Sequence, residues 1–381
     1  MNRPRTVRGP WTVALCGVLA WLLLGTTSGP GTPPEPARRG ESGSFELLRR
    51  LVEIQAVSGH EGPVREAIRA LMPEWARPAA RIDSRGNLLL EVGREGKQIL
   101  FIAHMDETGY EIASVERDGT ARVRSRGGFF NRLYEGHEVR VLSRKGEVAA
   151  VVRPREGYLS WEGSDPELGE AQIVLDFGTV SFRETNALSV STGNPVAIPK
   201  KFQRLAGGMG SGRSVDDRAG CTALLEAVRR IDSKGLRKRA VFASSVEEEL
   251  GLHGAETLAG SLHPEIVFAV DTFVSSDSPL EDKSFALGVL GRGPVIRAID
   301  NSNLAPLPLV ERVRQIAVAQ GVPIQIGLTR GGNDGSVFPP EGAPDVPIAW
   351  PTVYSHSPVE VLSERDLGDL GRLVQALAEG W

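Results

Sequence analysis

The segment QILFIAHMDETG, from Gln98 to Gly109, decides the fold of this chain. Residues 98–103 are a short, mostly apolar run, which is typical of a buried strand. His104 and Asp106 follow this run directly, and residues two apart in extended backbone point to the same side. We therefore expect a buried strand that presents both side chains at its carboxyl end.

Helical and strand patterns alternate on either side of this segment. Helices are predicted over 46–54, 63–71, 219–231, 309–319 and 364–378, with a further helix opening at 254–258. Strands are predicted over 239–246, 266–270 and 324–328. Such alternation predicts an α/β sandwich. Open α/β sheets build their sites at the carboxyl ends of strands, so we expect a site beside His104.

The stretch 110–199 has a different texture. Short strand-like runs such as ARVRS, HEVRVLS, GEVAAVVR, QIVLDFG and NPVAI alternate there with Gly-rich turns. No long helical pattern interrupts them. The sequence therefore predicts an inserted small all-β domain over 110–199, within a main domain formed by 44–109 and 200–381.

The first residues resemble a targeting segment. Three arginines precede an apolar run from Trp11 to Leu24, which is typical of a signal peptide over 1–28. We therefore expect an exported protein, periplasmic or extracellular. The run is short for a membrane span of about 20 residues, and no A-x-A cleavage site follows it, so an uncleaved N-terminal membrane anchor is the alternative. Residues 29–43 are predicted to be a Pro/Gly linker.

Composition excludes some classes of protein. The chain has 381 residues, 41% of them hydrophobic, which is enough for one large domain and a smaller one. The 44 basic and 48 acidic residues are mixed along the chain, so no nucleic-acid partner is expected. Without the signal segment Cys221 would be the only cysteine, which excludes an internal disulfide.

Acidic residues recur after predicted strands and at one helix start. They are Asp216 and Asp217, the Glu247–Glu249 triplet, and Asp271. Each has an ordinary explanation by itself, because Asp often caps helices and acidic triplets often form solvated turns. Taken with the two histidines His104 and His356, they can hold two divalent cations that share a bridging carboxylate and activate water for hydrolysis.

Individual roles follow from the chemistry of such a centre. Asp106 suits a carboxylate that orients His104, and Asp217 would neutralise neighbouring positive charge such as Arg218. Adjacent glutamates at the end of a strand suit one metal ligand and one general base. Zinc is the favoured metal, with cobalt or manganese as alternatives.

The order of the motifs resembles a known family. AHMDETG, GSGRSVDDRAG, VEEELGLHGAETLA, VDTF, TRGGNDGSVF and YSHSPVE are similar to motifs of the glutamyl-aminopeptidase or deblocking-aminopeptidase family of clan MH, whose members form tetrahedral particles. The resemblance covers about 45–381. It implies a three-layer α/β sandwich with a mixed central sheet of the zinc-exopeptidase type, an inserted β domain for dimerisation or as a lid, and a homo-oligomer. The family is mostly cytosolic, which the N-terminal segment does not match.

The resemblance also implies a role for each motif residue. One of two metal ions per chain would be held by His104, Asp216 and Asp271, and the other by Asp216, Glu249 and His356. The catalytic residues would be Glu248, as general base, and Asp106, which would support His104. Two positions depart from the family pattern, since His253 replaces a common Arg and Asn333 a common Thr. These departures concern substrate preference.

The expected function is therefore a dinuclear metallo-aminopeptidase acting on short peptides with a free N-terminus. A carboxypeptidase, dipeptidase or amidohydrolase on the same centre is the alternative. Related carboxypeptidases place their first two motifs close together, whereas Asp106 and Asp216 are 110 positions apart here. A non-enzymatic relative would lack a ligand or the base, and none is lacking. A glycosidase would leave both histidines unexplained.

Overall fold

The computed structural model describes residues 43–93, 96–158, 168–199, 201–279 and 287–381. The helices are α1 Ser44–Val52, α2 Gly62–Leu71, α3 Phe182–Ala187, α4 Val215–Arg230, α5 His253–Ala259, α6 Leu307–Ala319 and α7 Glu364–Gly380. The first nine strands are β1 Arg81–Ile82, β2 Leu88–Val92, β3 Gln98–His104, β4 Gly109–Val115, β5 Ala121–Arg126, β6 Glu138–Ser143, β7 Gly146–Val152, β8 Val174–Asp176 and β9 Pro195–Ala197. The remaining strands are β10 Gln203–Arg204, β11 Met209–Gly212, β12 Arg239–Ser245, β13 Ile266–Val274, β14 Val295–Ile299, β15 Gln325–Leu328, β16 Ile348–Val353 and β17 Glu360–Ser363.

An 11-stranded mixed sheet forms the centre of the main domain. Its order is β1-β2-β12-β3-β13-β16-β17-β11-β10, with β14 and β15 attached beside β16. Strands β12, β3, β13 and β16 run parallel to one another, while the outer pairs are antiparallel. The carboxyl ends of the parallel strands therefore meet at one edge, where His104 is the last residue of β3.

Helices cover both faces of this sheet, because the buried strands are apolar on both sides. On one face α1, α2, α4, α6 and α7 pack over odd-numbered residues of β3 such as Phe101. The ring of Phe101 stacks between Phe242 and Phe268, at centroid distances of 5.3 and 5.2 Å. On the other face α5 and the turns around Phe338 cover Leu100 and Ile102. Side chains alternate between the two faces along a strand, and His104 is two residues after Ile102. The side chain of His104 therefore lies on this second face.

The insertion forms a closed six-stranded barrel of order β4-β5-β8-β7-β6-β9. It has its own core, which includes Tyr110 and Val141. Because the barrel is closed, each of its six described strands pairs with a neighbour on both sides. The loop after β5 reaches the main domain, where the carbonyl oxygen of Gly128 lies 2.6 Å from Nδ1 of His356.

The predicted fold class is confirmed: a layered α/β domain with a mixed central sheet carries a separate small β barrel. Two details that bear on the residues of the site differ from the sequence prediction. Strand β13 continues through Asp271 to Val274, and Asp216 and Asp217 have non-helical backbone angles although they belong to the first turn of α4. Among the described residues, we find no helix whose length and apolar character would allow it to cross a membrane.

Candidate metal centre

Three buried side chains from separate elements converge beside β3. Ligand atoms of His104, Asp216 and Asp271 all lie within 4.8 Å of one another. The strand register explains why His104 and Asp271 are close together. Ala269 of β13 pairs with Ile102 of β3, so Asp271, two residues further on, lies level with His104 on the same face of the sheet. Asp216 comes from the irregular start of α4. An imidazole and two carboxylates in this arrangement suit a divalent cation.

His356 and Glu249 lie on the opposite side of Asp216. His356 Nε2 is 3.4 Å from Asp216 Oδ2 and 3.6 Å from Glu249 Oε1. The other oxygen, Asp216 Oδ1, is 3.3 Å from His104 Nε2. The Asp216 carboxylate therefore lies between two histidines and presents one oxygen to each.

Each histidine has an oxygen atom close to its far ring nitrogen. His356 Nδ1 lies 2.6 Å from the carbonyl oxygen of Gly128 in the loop after β5. A carbonyl can only accept, so Nδ1 carries the proton and Nε2 is free to face Asp216 and Glu249. His104 Nδ1 lies 3.4 Å from Asp106 Oδ1. Such contacts fix the ring orientation of metal-binding histidines.

Asp106 also holds the turn that carries the two glutamates. It is fully buried and accepts the N–H groups of Glu248 at 3.0 Å and of Glu249 at 3.2 Å. Ser58 Oγ donates to its second oxygen at 2.5 Å. The carboxylate of Asp106 thus connects His104 with the segment after β12.

The three consecutive glutamates point in different directions. Glu248 Oε2 is 4.0 Å from His104 Nε2, whereas Glu249 faces His356. Glu247 turns away and contacts Arg85 and His253 instead. Glu248 is thus the candidate for the general base and Glu249 the candidate for the metal ligand, while Glu247 lies outside the centre.

Asp217 has two hydrogen-bond partners in addition to the electrostatic role predicted for it. It is fully buried, accepts the N–H of Gly220 at 2.8 Å and that of Trp350 Nε1 at 3.2 Å, and follows Asp216 through a cis peptide bond. Arg218, whose charge we expected Asp217 to neutralise, donates to the carbonyl of Met105. Burial lowers the pKa of Arg218, and the charge of Asp217 acts to raise it. Asp217 therefore supports the start of α4 and also acts on Arg218 through its charge.

Sequence reasoning assigned no role to two acidic residues near the centre. Glu360 accepts backbone N–H groups of Asp216 and His356. Asp334 accepts a hydrogen bond from Ser245, and its second oxygen is buried and has no hydrogen-bond partner among the described residues. Both lie in motifs quoted above, YSHSPVE and TRGGNDGSVF. Membership of these motifs was the only sequence feature that pointed to a role for them.

The electrostatics of the centre favour bound cations. Burial raises the pKa of Glu248 well above its ordinary value and that of Glu249 to about 7. Burial also opposes the ionised form of Asp216, but its interactions with His104 and His356 outweigh that effect and lower its pKa. Crowded buried carboxylates are costly unless positive charge compensates them. The donor set therefore fits divalent metal.

Comparison with known proteins identifies the family. A family model described as M42 glutamyl aminopeptidase matches residues 86–373. A putative aminopeptidase of Acetivibrio thermocellus is 31% identical over 339 residues, 88% of this chain and 98% of that protein. The lysyl aminopeptidase of Pyrococcus furiosus is 27% identical, over 88% of this chain and 96% of its own length. The structure of Pyrococcus horikoshii TET1 peptidase, which can assemble into a tetrahedron or a large octahedral shell, matches with a TM-score of 0.82 and 35% identity, over 89% of this chain and 100% of that one.

These relatives correct the predicted location. The TET1 peptidase and the lysyl aminopeptidase match this chain over nearly their whole lengths, and theirs is the family whose members are mostly cytosolic. The prediction of an exported or membrane-anchored protein is therefore wrong. Residues 1–28, on which it rested, lie outside the described residues. A short apolar run behind a few arginines is a pattern of composition, and composition alone did not identify the location.

The family model covers residues 86–373, which is most of the chain, and the Acetivibrio thermocellus relative is 31% identical over 88% of it. M42 peptidases depend on metal, and the buried His104, Asp216 and Asp271 provide a group that could bind it. The chain thus belongs to the M42 glutamyl aminopeptidase family and is a metallo-aminopeptidase.

Proposed function

We propose that this aminopeptidase works with two divalent ions per chain. His104, Asp216 and Asp271 would hold one ion, and Asp216, Glu249 and His356 the other. The position of Asp216 carries this proposal, because its two oxygens lie 3.3 and 3.4 Å from the Nε2 atoms of two different histidines. A carboxylate shared in this way would serve as the bridging ligand of the proposed dinuclear centre.

Glu248 is the general base of the proposed reaction. When bound, the metal pair polarises the scissile carbonyl and lowers the pKa of the attacking water. Glu248 accepts the proton of that water and passes it to the leaving amine. Asp106 holds the N–H of Glu248 and faces the ring of His104, so it positions both groups.

The proposed substrates are short peptides with a free N-terminus. The centre gathers carboxylates from Asp106, Asp216, Glu248, Glu249 and Asp271, more negative charge than two divalent ions neutralise. This excess suits the ammonium group of a free N-terminus. The loop after β5 reaches His356 through Gly128, so the barrel walls one side of the centre and limits access for folded proteins.

Metal analysis tests the two-ion proposal. Purified, reconstituted protein is expected to contain two divalent ions per chain, zinc being favoured because it accepts mixed imidazole and carboxylate ligands. Cobalt and manganese are the alternatives. Chelation should abolish activity and readdition should restore it. Elemental analysis that finds only trace metal after reconstitution would contradict the proposal.

Substrate blocking tests the exopeptidase direction. Acetylation removes the ammonium charge and leaves buried carboxylates unpaired, which costs about 1–3 kcal/mol. We therefore expect hydrolysis of acetylated peptides to be at least about 5- to 150-fold slower than that of free peptides of the same sequence. Rates are measured on matched pairs and on peptides with blocked carboxyl termini. Equal rates within the pairs, or release from the carboxyl end, would favour the alternative peptidase or amidohydrolase.

We further propose that the barrel mediates homo-oligomer formation. The TET1 relative forms large shells, and the barrel exposes 78% of Val180 and 51% of Phe182. Changing both residues to glutamate is expected to reduce the particle mass, because it places charge on an apolar contact. Light scattering of the variant and the wild type measures this, and an unchanged mass would exclude that surface.

A further inference from the structure

Glu360 is a buried carboxylate that none of the roles above uses. It is only 2% exposed and is the first residue of β17. Its Oε2 accepts the backbone N–H of Asp216 at 3.1 Å, and its Oε1 accepts the backbone N–H of His356 at 2.8 Å. One side chain thus contacts the main chain of two residues that face each other across the proposed centre.

The sheet explains why Glu360 can reach both segments. Strand β17 lies between β11 and β16, and Glu360 pairs directly with Gly212, the last residue of β11. The chain leaves β11 there and reaches Asp216 four residues later. It leaves β16 at Val353 and reaches His356 three residues later. Glu360 therefore lies between the points where both ligand-bearing segments leave the sheet.

Both segments are irregular and need an acceptor from elsewhere. His356 has a φ of 60°, in the left-handed region that residues other than glycine rarely adopt. Asp216 has non-helical angles, and Ser214 just before it has a φ of 65°. The N–H groups of Asp216 and His356 therefore do not donate to the backbone acceptors of a regular helix or strand; they donate to Glu360 instead. A carboxylate is suited to this position, because it has two acceptor oxygens and no donor.

We propose that Glu360 is a positioning residue of the metal centre, which sets the spacing between the bridging carboxylate of Asp216 and the imidazole of His356. The inference rests on the dinuclear function proposed above. Glu360 fixes the backbone of both residues, while Gly128 fixes the ring of His356. Outer contacts of this kind change metal affinity or activity by about 10–100-fold when they are lost.

The test is a metal titration of Glu360→Gln. Glutamine has the shape of glutamate but offers one acceptor and one donor, so one of the two N–H groups would face an N–H₂ group. We expect the weaker of the two Co²⁺ ions to bind about 10–100-fold less tightly, with a changed absorption spectrum. The kcat should fall at limiting metal and recover in part at excess metal, which a general loss of folding would not produce.

Glu364→Gln is the matched control. Like Glu360, Glu364 accepts a backbone N–H group through its carboxylate, in this case that of Phe45 at 3.3 Å. It also forms an ion pair with Arg204. It lies four positions beyond Glu360 and contacts no residue of the centre in the described chain. This variant should bind Co²⁺ with the affinity and spectrum of the wild type.

Two outcomes would overturn the proposal. One is Co²⁺ affinity and spectrum in Glu360→Gln equal to those of Glu364→Gln. If the glutamine variant does not fold, Glu360→Asp decides, because it keeps both acceptors at a shorter reach; binding equal to the control would then overturn the proposal. A wild type that binds a single ion would contradict the dinuclear function alone. Weaker binding of that ion in Glu360→Gln would still support the positioning role, because Glu360 also holds Asp216.

Discussion

Replacing Glu248 with glutamine is expected to lower kcat by about 10²–10⁴-fold while the bound metal is retained. The side chain lies 4.0 Å from His104 Nε2, beside the centre rather than between its ligands. Glutamine keeps the shape of the side chain but cannot accept the proton of the attacking water. Steady-state rates and elemental analysis of the same preparation measure the two parts of this prediction.

The neighbouring glutamates provide two controls for Glu248→Gln. Glu249→Gln should weaken metal binding, because Glu249 Oε1 lies 3.6 Å from His356 Nε2 on the other side of the centre. Glu247→Gln should leave kcat within a few-fold of the wild type, because Glu247 contacts Arg85 and His253. Equal metal loss in the variants of Glu248 and Glu249 would show that their roles are assigned wrongly.

Because Glu248 is buried, we expect the activity of the enzyme to depend on pH. Burial raises the pKa of Glu248, and nearby cations act to lower it. A base works only when deprotonated, so kcat/KM should fall as pH falls through this pKa. Glu248→Gln should lose that acidic limb, since glutamine does not titrate. A variant that retained the limb unchanged would assign it to another group.

Asp216→Asn is expected to weaken binding of both metal ions by at least about 100-fold and to remove measurable turnover. Asp216 presents one oxygen to each histidine, so the amide that replaces it turns a donor towards one half of the centre. It also removes a negative charge that both ions would share. Titration with Co²⁺ and measurement of rates at saturating metal test these effects.

Asp271→Asn is the comparison for Asp216→Asn. Asp271 belongs to the group around His104 and lies 3.8 Å from Arg297, away from His356. Its loss should weaken one ion and spare the other. If Asp216→Asn also lost only one ion, Asp216 would be an ordinary ligand and the centre would not be bridged.

Apolar runs predicted the interior of the sheet well. The strands at 98–103, 239–246 and 266–270 correspond to β3, β12 and β13, because strands buried on both faces are continuous apolar runs. Two other strands of the sheet gave no such signal. β11 has the sequence MGSG, and β16 contains Pro351, which is unusual inside a strand. Their pairing depends on neighbours distant in sequence.

The sequence by itself determined the α/β alternation, the strand–loop texture of the insertion, the family, and the order of imidazole and carboxylate residues. These properties depend on local periodicity and on residue types at fixed positions. Only the tertiary structure decided which way neighbouring side chains point. It turns Glu247 outward, brings Glu248 towards His104 and turns Glu249 towards His356. It also joins Asp216 and His356 through Glu360. The physical reason is that consecutive residues in a turn point in directions set by backbone angles, and those angles are fixed by contacts between segments far apart in the chain.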